Sequence, residues 1–223
     1  MLSSRVPVAL YVPNILCYIR ILTAFLGLWF VKDQPVLALT IWILSAALDL
    51  FDGVLARALH QTSTLGILLD VCADTILRTC IWMAAMMVYS DTSKLTVLLT
   101  CLVVSTEWFT FAATQIHSRG RHWKVAREKD PWFVRKVFEG GFKTPIGCWT
   151  IYGLFAAPMF LWGSAHPVFV ENIPLFNFWK YAAYTGRVYA FTVEVYLSCS
   201  YLAHVIDQDT KQREHEEQSK KET

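Results

Sequence analysis

The sequence predicts an all-α, polytopic membrane protein with six transmembrane helices. Two observations carry that expectation. Of 223 residues, 55% are apolar and only 17% charged, and the mean hydropathy is +0.38. The apolar residues also fall into runs of roughly 20, the length a helix needs to cross a bilayer. Such a balance excludes a disordered chain, and six spans would consume nearly the whole apolar inventory, leaving little for a soluble two-domain enzyme.

Apolar runs bounded by turn or charge punctuation place the spans near Pro13 to Val31, Pro35 to Leu59, Leu65 to Tyr89, Leu95 to Ile116, Thr144 to Trp162 and Phe178 to Ile206. The segment before Pro13 reads as a short interfacial element. With Pro7 and Pro13 following Met1 to Arg5 and no small-residue cleavage pattern, it is not expected to be a cleavable signal peptide. Residues 1–206 are therefore expected to form one membrane domain, and residues 207–223 a charged cytosolic tail that behaves as a solvated helix.

The net charge of +2 conceals an uneven distribution. The connection from Ser118 to Lys143 holds Arg119, Arg121, Lys124, Arg127, Lys129, Arg135, Lys136 and Lys143 against Glu128, Asp130 and Glu139. Basic loops stay in the cytosol, so this connection and both termini are expected there. Its Trp123 and Trp132 suit an anionic lipid surface, and no nucleic-acid partner is expected in that setting. All six cysteines fall inside predicted spans without metal-binding spacing and read as core thiols, and the six histidines are scattered.

Ionisable groups within spans are costly and usually functional. They concentrate between Asp49 and Asp74. On the second span Asp49, Asp52, Gly53, Ala56 and Arg57 recur at helical spacing and share one face; on the third, Gly66, Asp70 and Asp74 do the same. The short connection makes the two helices antiparallel neighbours, with four carboxylates meeting across their contact. Four such charges in a low dielectric repel strongly and call for a cation. Oxygen-only ligands point to Mg²⁺ or Mn²⁺, and such ions serve phosphate chemistry. Gly53 and Ala56 leave the backbone bare for a bulky ligand, while the Arg57 fork suits phosphate oxygens. The pattern describes a metal-pyrophosphate site. A purely structural ion-pair network of Asp49, Asp52, Arg57, Asp70, Asp74 and Arg78 is the competing account, with four acids against two bases. Asp49 lies about 14 residues, roughly 21 Å, along its helix, which places the site in the cytosolic half of the bilayer.

The run Asp49-x2-Asp52-Gly53-x2-Ala56-Arg57-x8-Gly66-x3-Asp70-x3-Asp74 fills all the fixed positions of the CDP-alcohol phosphotransferase signature, and Val12-Pro13-Asn14 through Arg20-Ile21 is similar to that family's first helix. Within the family the chain most resembles the eukaryotic phosphatidylinositol synthases, through Leu48 to Gly53 and Ala56 to Gln61. The resemblance implies the family's six-span fold and displacement of CMP from CDP-diacylglycerol by an alcohol, here inositol. It implies that Asp49, Asp52 and Asp70 hold Mg²⁺ or Mn²⁺ and that Asp74, close to the metal, is the general base. It further implies that Gly53, Arg57, Ser63, Gly66 and the nearby Asn14 line the CDP-diacylglycerol site. A homodimer in the endoplasmic reticulum is the corresponding expectation for assembly and location.

Four positions depart from the inositol-specific pattern. Thr75 stands where Arg is usual, with Arg78 one turn further on. Val103 and Glu107 stand where an acidic residue and a His are common, and Gly153 replaces an acidic residue. These changes spare the metal site and fall on the acceptor side, where Glu107 and Arg78 are the candidate pocket residues. Glu107 could equally pair with Arg187 or Lys180, and Arg187 with Glu194, on the sixth span. Arg20 could take the family's first-helix role, snorkel, or pair with a carboxylate. Outside the transferase reading, the same acids would suit a divalent-cation transporter, which would need polar groups through both membrane halves. A catalytically silent relative would bind nucleotide without turnover.

Overall fold

Proline and polar punctuation divide the chain where the sequence predicts. The structure, a computed structural model, describes residues 6–91, 93–118 and 129–221. A 3-10 turn at Val8–Leu10 leads into α1 (Val12–Phe30), followed by α2 (Pro35–Ala58), α3 (Thr64–Tyr89) and α4 (Lys94–Ser118). Then come α5 (Trp132–Phe138), α6 (Pro145–Gly163), α7 (Pro167–Asn172) and α8 (Phe176–Lys221). Among the described residues there is no strand.

Local chemistry sets the helix starts. Proline occupies the first turn of α1, α2 and α6, where its missing N–H costs nothing. The Ser63 hydroxyl caps α3 by accepting from the Gly66 N–H at 3.0 Å, and Thr144 caps α6 through the Gly147 N–H at 3.0 Å.

Helices α1 to α4 and α6 are long and apolar enough to cross a membrane, five where the sequence predicts six. The sixth predicted span forms the first part of α8, whose apolar character is diluted by Arg187 and Glu194. Large apolar side chains such as Leu22 and Trp29 on α1, Leu44 and Leu50 on α2 and Leu98 on α4 stand exposed, as expected of an integral membrane protein whose solvent is lipid. The tail predicted from residue 207 continues α8 without a break, with Lys211 bonded to Asp207 at 2.7 Å.

The predicted α2–α3 pairing is corrected. Helix α1 packs against both α2 and α3, while α2 and α3 touch each other sparsely. The reason is electrostatic as well as steric: α1 brings Arg20 to the two acidic faces, and they meet around it rather than directly. The other half is α6 against α8 with α4 alongside, and α3 joins the halves through α4 and α6.

The main apolar core lies toward the ends of α2 and α6 remote from the aspartates. There Trp42 meets Trp162 edge-on at 5.3 Å and donates its indole N–H to the Ala24 carbonyl at 3.1 Å. A smaller core of Val134, Val137, Phe138 and Val193 seats α5 on α8.

Candidate active site

Helical periodicity aims the four aspartates inward, and a single guanidinium gathers them. Arg20 Nη1 lies 2.8 Å from Asp49, 2.9 Å from Asp52 and 3.2 Å from Asp70, and its Nη2 bonds Asp74. Of Arg20's three sequence-level readings, pairing with carboxylate is the one observed. The ion-pair network considered from sequence is therefore real, but it is built on Arg20. Arg57 instead lines a neighbouring cavity, and Arg78 bonds Glu107.

Arg20 is 1% exposed, whereas the Asp49 side chain is 38% exposed and Asp70 and Asp74 are each 25% exposed. The acids thus surround the buried cation and keep oxygens accessible on their outer side. Asp49, Asp70 and Asp74 each offer a carboxylate oxygen within 4.8 Å of the other two. This oxygen-only trio fits a hard divalent ion such as Mg²⁺ or Mn²⁺. Asp52 lies outside the trio, more deeply buried, with Cys17 Sγ 3.8 Å from its Oδ2.

Two cavities adjoin the cluster. The first, of about 530 Å³, is lined by Asp52 and Asp70 together with Asn14, Gly53, Arg57, Ser63 and Gly66. The predicted nucleotide-side residues therefore converge on one space. Gly66 is required there by close approach: a Cβ would stand 2.8 Å from Asn14 Oδ1 and 3.2 Å from Ser63 Oγ. Asn14 in turn donates to the Val8 carbonyl at 2.6 Å, which ties the 3-10 turn to this wall.

The second cavity, of about 300 Å³, is lined by Asp49 and Asp74 at one end and by Arg78, Glu107 and Glu194 further along. Arg78 Nε donates to Glu107 at 2.8 Å, and Arg187 Nη2 donates to Glu107 and Glu194 at 3.0 Å each. Glu107 therefore pairs with Arg187, one of the two sequence-level options, while Lys180 sits over the Phe176 and Tyr181 rings. Arg78 also lies over the Phe155 ring at 5.2 Å. Val137 and Phe138 of α5, with Phe142, close another side of this cavity.

Sequence reasoning missed several of these residues. Cys17 read as a core thiol yet reaches the wall of the first cavity beside Asp52. Thr110, Thr114 and Thr150 line the second cavity; the i, i+4 threonines of α4 were the available signal. Gly153, read as the loss of an acidic side chain, has a structural cause: a Cβ would stand 2.3 Å from the backbone of Gly186 and Arg187, so α6 and α8 pack there without side chains. Of the basic loop, Arg119, Arg121, Trp123, Lys124, Arg127 and Glu128 lie outside the described residues. Trp132, Arg135 and Lys136 of α5 are exposed.

The acids are shared by two cavities, one of which is also lined by Arg57. A family model for CDP-alcohol phosphatidyltransferase matches residues 10–184, and the chain belongs to that family. It is similar to the protein named CDP-diacylglycerol–inositol 3-phosphatidyltransferase of Rattus norvegicus, 30% identical over 122 residues that cover 55% of this chain and 57% of the relative. The protein of that name from Schizosaccharomyces pombe is 27% identical over 128 residues, 57% of this chain and 54% of the relative. That of Saccharomyces cerevisiae is 38% identical over 64 residues, 29% of each chain. The chain thus spans little more than half the length of the first two relatives. No solved structure matches.

Proposed function

We propose that this protein transfers the phosphatidyl group of CDP-diacylglycerol to a small polyol, myo-inositol, and releases CMP. The observation that supports this most is the aspartate cluster standing between two cavities, with Asp52 and Asp70 facing one and Asp49 and Asp74 the other. A donor in the first cavity and an acceptor in the second would meet at the carboxylates. The names of the relatives supply inositol as the acceptor.

In this reading Asn14, Gly53, Arg57, Ser63 and Gly66 bind the nucleotide end of CDP-diacylglycerol, with the Arg57 guanidinium on its phosphates. Asp49, Asp52, Asp70 and Asp74 hold Mg²⁺ or Mn²⁺, which when bound neutralises charge on the pyrophosphate and eases departure of CMP. By the family's pattern Asp74 is the general base and takes the proton of the acceptor hydroxyl. The freed oxygen forms a bond to the phosphorus that bears diacylglycerol, the bridging pyrophosphate bond breaks, and CMP leaves with its electron pair. Arg78 and Glu107 belong to the acceptor pocket.

The same reading makes residues 1–206 the membrane domain and residues 207–223 a cytosolic tail, with both termini and the site on the cytosolic face. Endoplasmic reticulum, contact with membrane lipids through α5 and a homodimeric state complete it. The test is CMP release by purified protein from CDP-diacylglycerol and Mn²⁺ across a panel of inositol, serine and glycerol 3-phosphate. Release with inositol alone supports the assignment. Release only with another acceptor reassigns the alcohol, and release with none removes the transferase reading.

A further inference from the structure

We propose that Glu107 sets the charge class of the acceptor: it bars phosphorylated alcohols from the second cavity and leaves it open to neutral polyols. This rests on the reading of that cavity as the acceptor site. Arg78, Glu107 and Glu194 line the cavity and Arg187 stands behind them in one chain of contacts, Arg78 to Glu107 at 2.8 Å, Glu107 to Arg187 at 3.0 Å and Arg187 to Glu194 at 3.0 Å. Glu107 is 3% exposed and stands between both guanidiniums, so each positive charge is matched by a carboxylate. Among the described residues no lysine lines this cavity. A phosphomonoester would arrive as a dianion in a space whose cations are already neutralised, and its desolvation would go uncompensated.

The hydroxyls point the same way. Thr75 donates to the Val71 carbonyl at 2.8 Å, Thr114 to Phe111 at 3.0 Å and Thr150 to Ile146 at 2.7 Å. With their protons committed, the oxygens of Thr114 and Thr150 offer lone pairs to the cavity, and that of Thr75 keeps one beside the bond it accepts from Arg78 Nη2 at 3.3 Å. Lone pairs accept from the O–H groups of a polyol and do nothing for a phosphate, which needs donors. Donor capacity does exist behind the wall, since Arg187 Nε and Nη1 are buried without hydrogen-bond partners. Neutralisation by Glu107 and Glu194, not a shortage of guanidinium nitrogens, keeps a phosphate out.

The experiment compares wild type with Glu107→Gln, Glu194→Gln and Glu107→Asp in two readouts. One is CMP release from CDP-diacylglycerol with Mn²⁺, using myo-inositol or glycerol 3-phosphate as acceptor. The other is equilibrium binding of glycerol 3-phosphate to the same proteins in detergent without CDP-diacylglycerol. Removing one negative charge beside Arg78 should raise glycerol 3-phosphate affinity, and its turnover relative to inositol, by roughly tenfold or more. Glu107→Asp keeps the charge and should keep the wild-type preference. Glu194→Gln removes charge from the same network and decides the matter where Glu107→Gln does not fold. Unchanged affinity in the Gln variants, or tight binding of glycerol 3-phosphate by wild type, overturns the proposal. Absence of CMP release with every acceptor would instead overturn the transfer reading, and the binding readout would still decide the role of Glu107.

Discussion

Arg20 of α1 and Asp52 of α2 meet at 2.9 Å, both nearly buried, at the point where three helices converge. The pair shows how four acids coexist inside a membrane helix bundle. Each carboxylate alone would be expensive in low dielectric, and a guanidinium with several donors in a fixed fork serves all four at once. Function and fold are coupled here, because the cation that gathers the aspartates also fixes α1 between α2 and α3.

Removing that cation should therefore damage stability before anything else. Arg20→Ala leaves carboxylates uncompensated, and the loss of one partner of a buried pair costs about 3–5 kcal/mol. Thermal unfolding in detergent and chelator should shift down sharply, and added Mn²⁺ should raise the midpoint more in the variant than in wild type. An unchanged midpoint would show that the acids do not depend on Arg20.

Asp74 and Asp52 should separate in their effects. Asp74 faces the second cavity, proposed to take the acceptor, and loss of a general base slows turnover by about 10²–10⁴-fold, so under the proposed role Asp74→Asn should lose CMP release on that scale. Binding of CMP without metal should survive, while any gain from Mn²⁺ should shrink, because Asp74 belongs to the trio that can hold the ion. Asp52→Asn, which alters the nucleotide-side wall, should weaken CMP binding directly. Titration calorimetry with CMP, without and with Mn²⁺, distinguishes the two.

Gly66→Ala probes the nucleotide cavity through shape alone. The added methyl would stand 2.8 Å from Asn14 Oδ1 and would push that side chain or the α3 start out of place. The KM for CDP-diacylglycerol should rise about tenfold, the scale of a 1.4 kcal/mol loss, while the KM for the acceptor stays near wild type. Equal effects on both substrates would mean that the cavity is not specific to the donor.

Gly153→Ala should act through packing. A methyl 2.3 Å from the Arg187 backbone N forces α6 and α8 apart, and overpacking of this kind costs typically about 1–3 kcal/mol. The unfolding midpoint should fall, and acceptor selectivity should shift with it, because Arg187 holds Glu107. A fully stable variant would contradict the close contact.

The sequence shows some of this plainly. Helical spacing placed Asp49 and Asp52 on one face and Asp70 and Asp74 on another, and those faces do converge, because a 3.6-residue period survives any tertiary arrangement. Asn14, Gly53, Arg57, Ser63 and Gly66, read from the sequence as one wall, do line one cavity, tied together by the Ser63 cap and the Gly66 gap. What holds the faces together was not legible. Arg20 lies 29 residues before Asp49, and nothing in local periodicity chooses between lipid snorkelling and a central ion pair. Likewise Gly153 looks like a lost acid until Gly186 is seen against it, and Cys17 looks like core until Asp52 lies beside it. The charges Arg187 and Glu194 in the sixth predicted span only make sense once Glu107 is across from them.

The central claim is that one aspartate cluster serves a lipid-nucleotide donor on one side and a polyol on the other. It is tested most directly by incubating purified protein with CDP-diacylglycerol, Mn²⁺ and radiolabelled myo-inositol, and measuring label in extracted lipid. The account predicts labelled lipid that requires both CDP-diacylglycerol and Mn²⁺ and that disappears in Asp70→Asn. Labelled lipid at the same level in Asp70→Asn, or none in wild type, would contradict it.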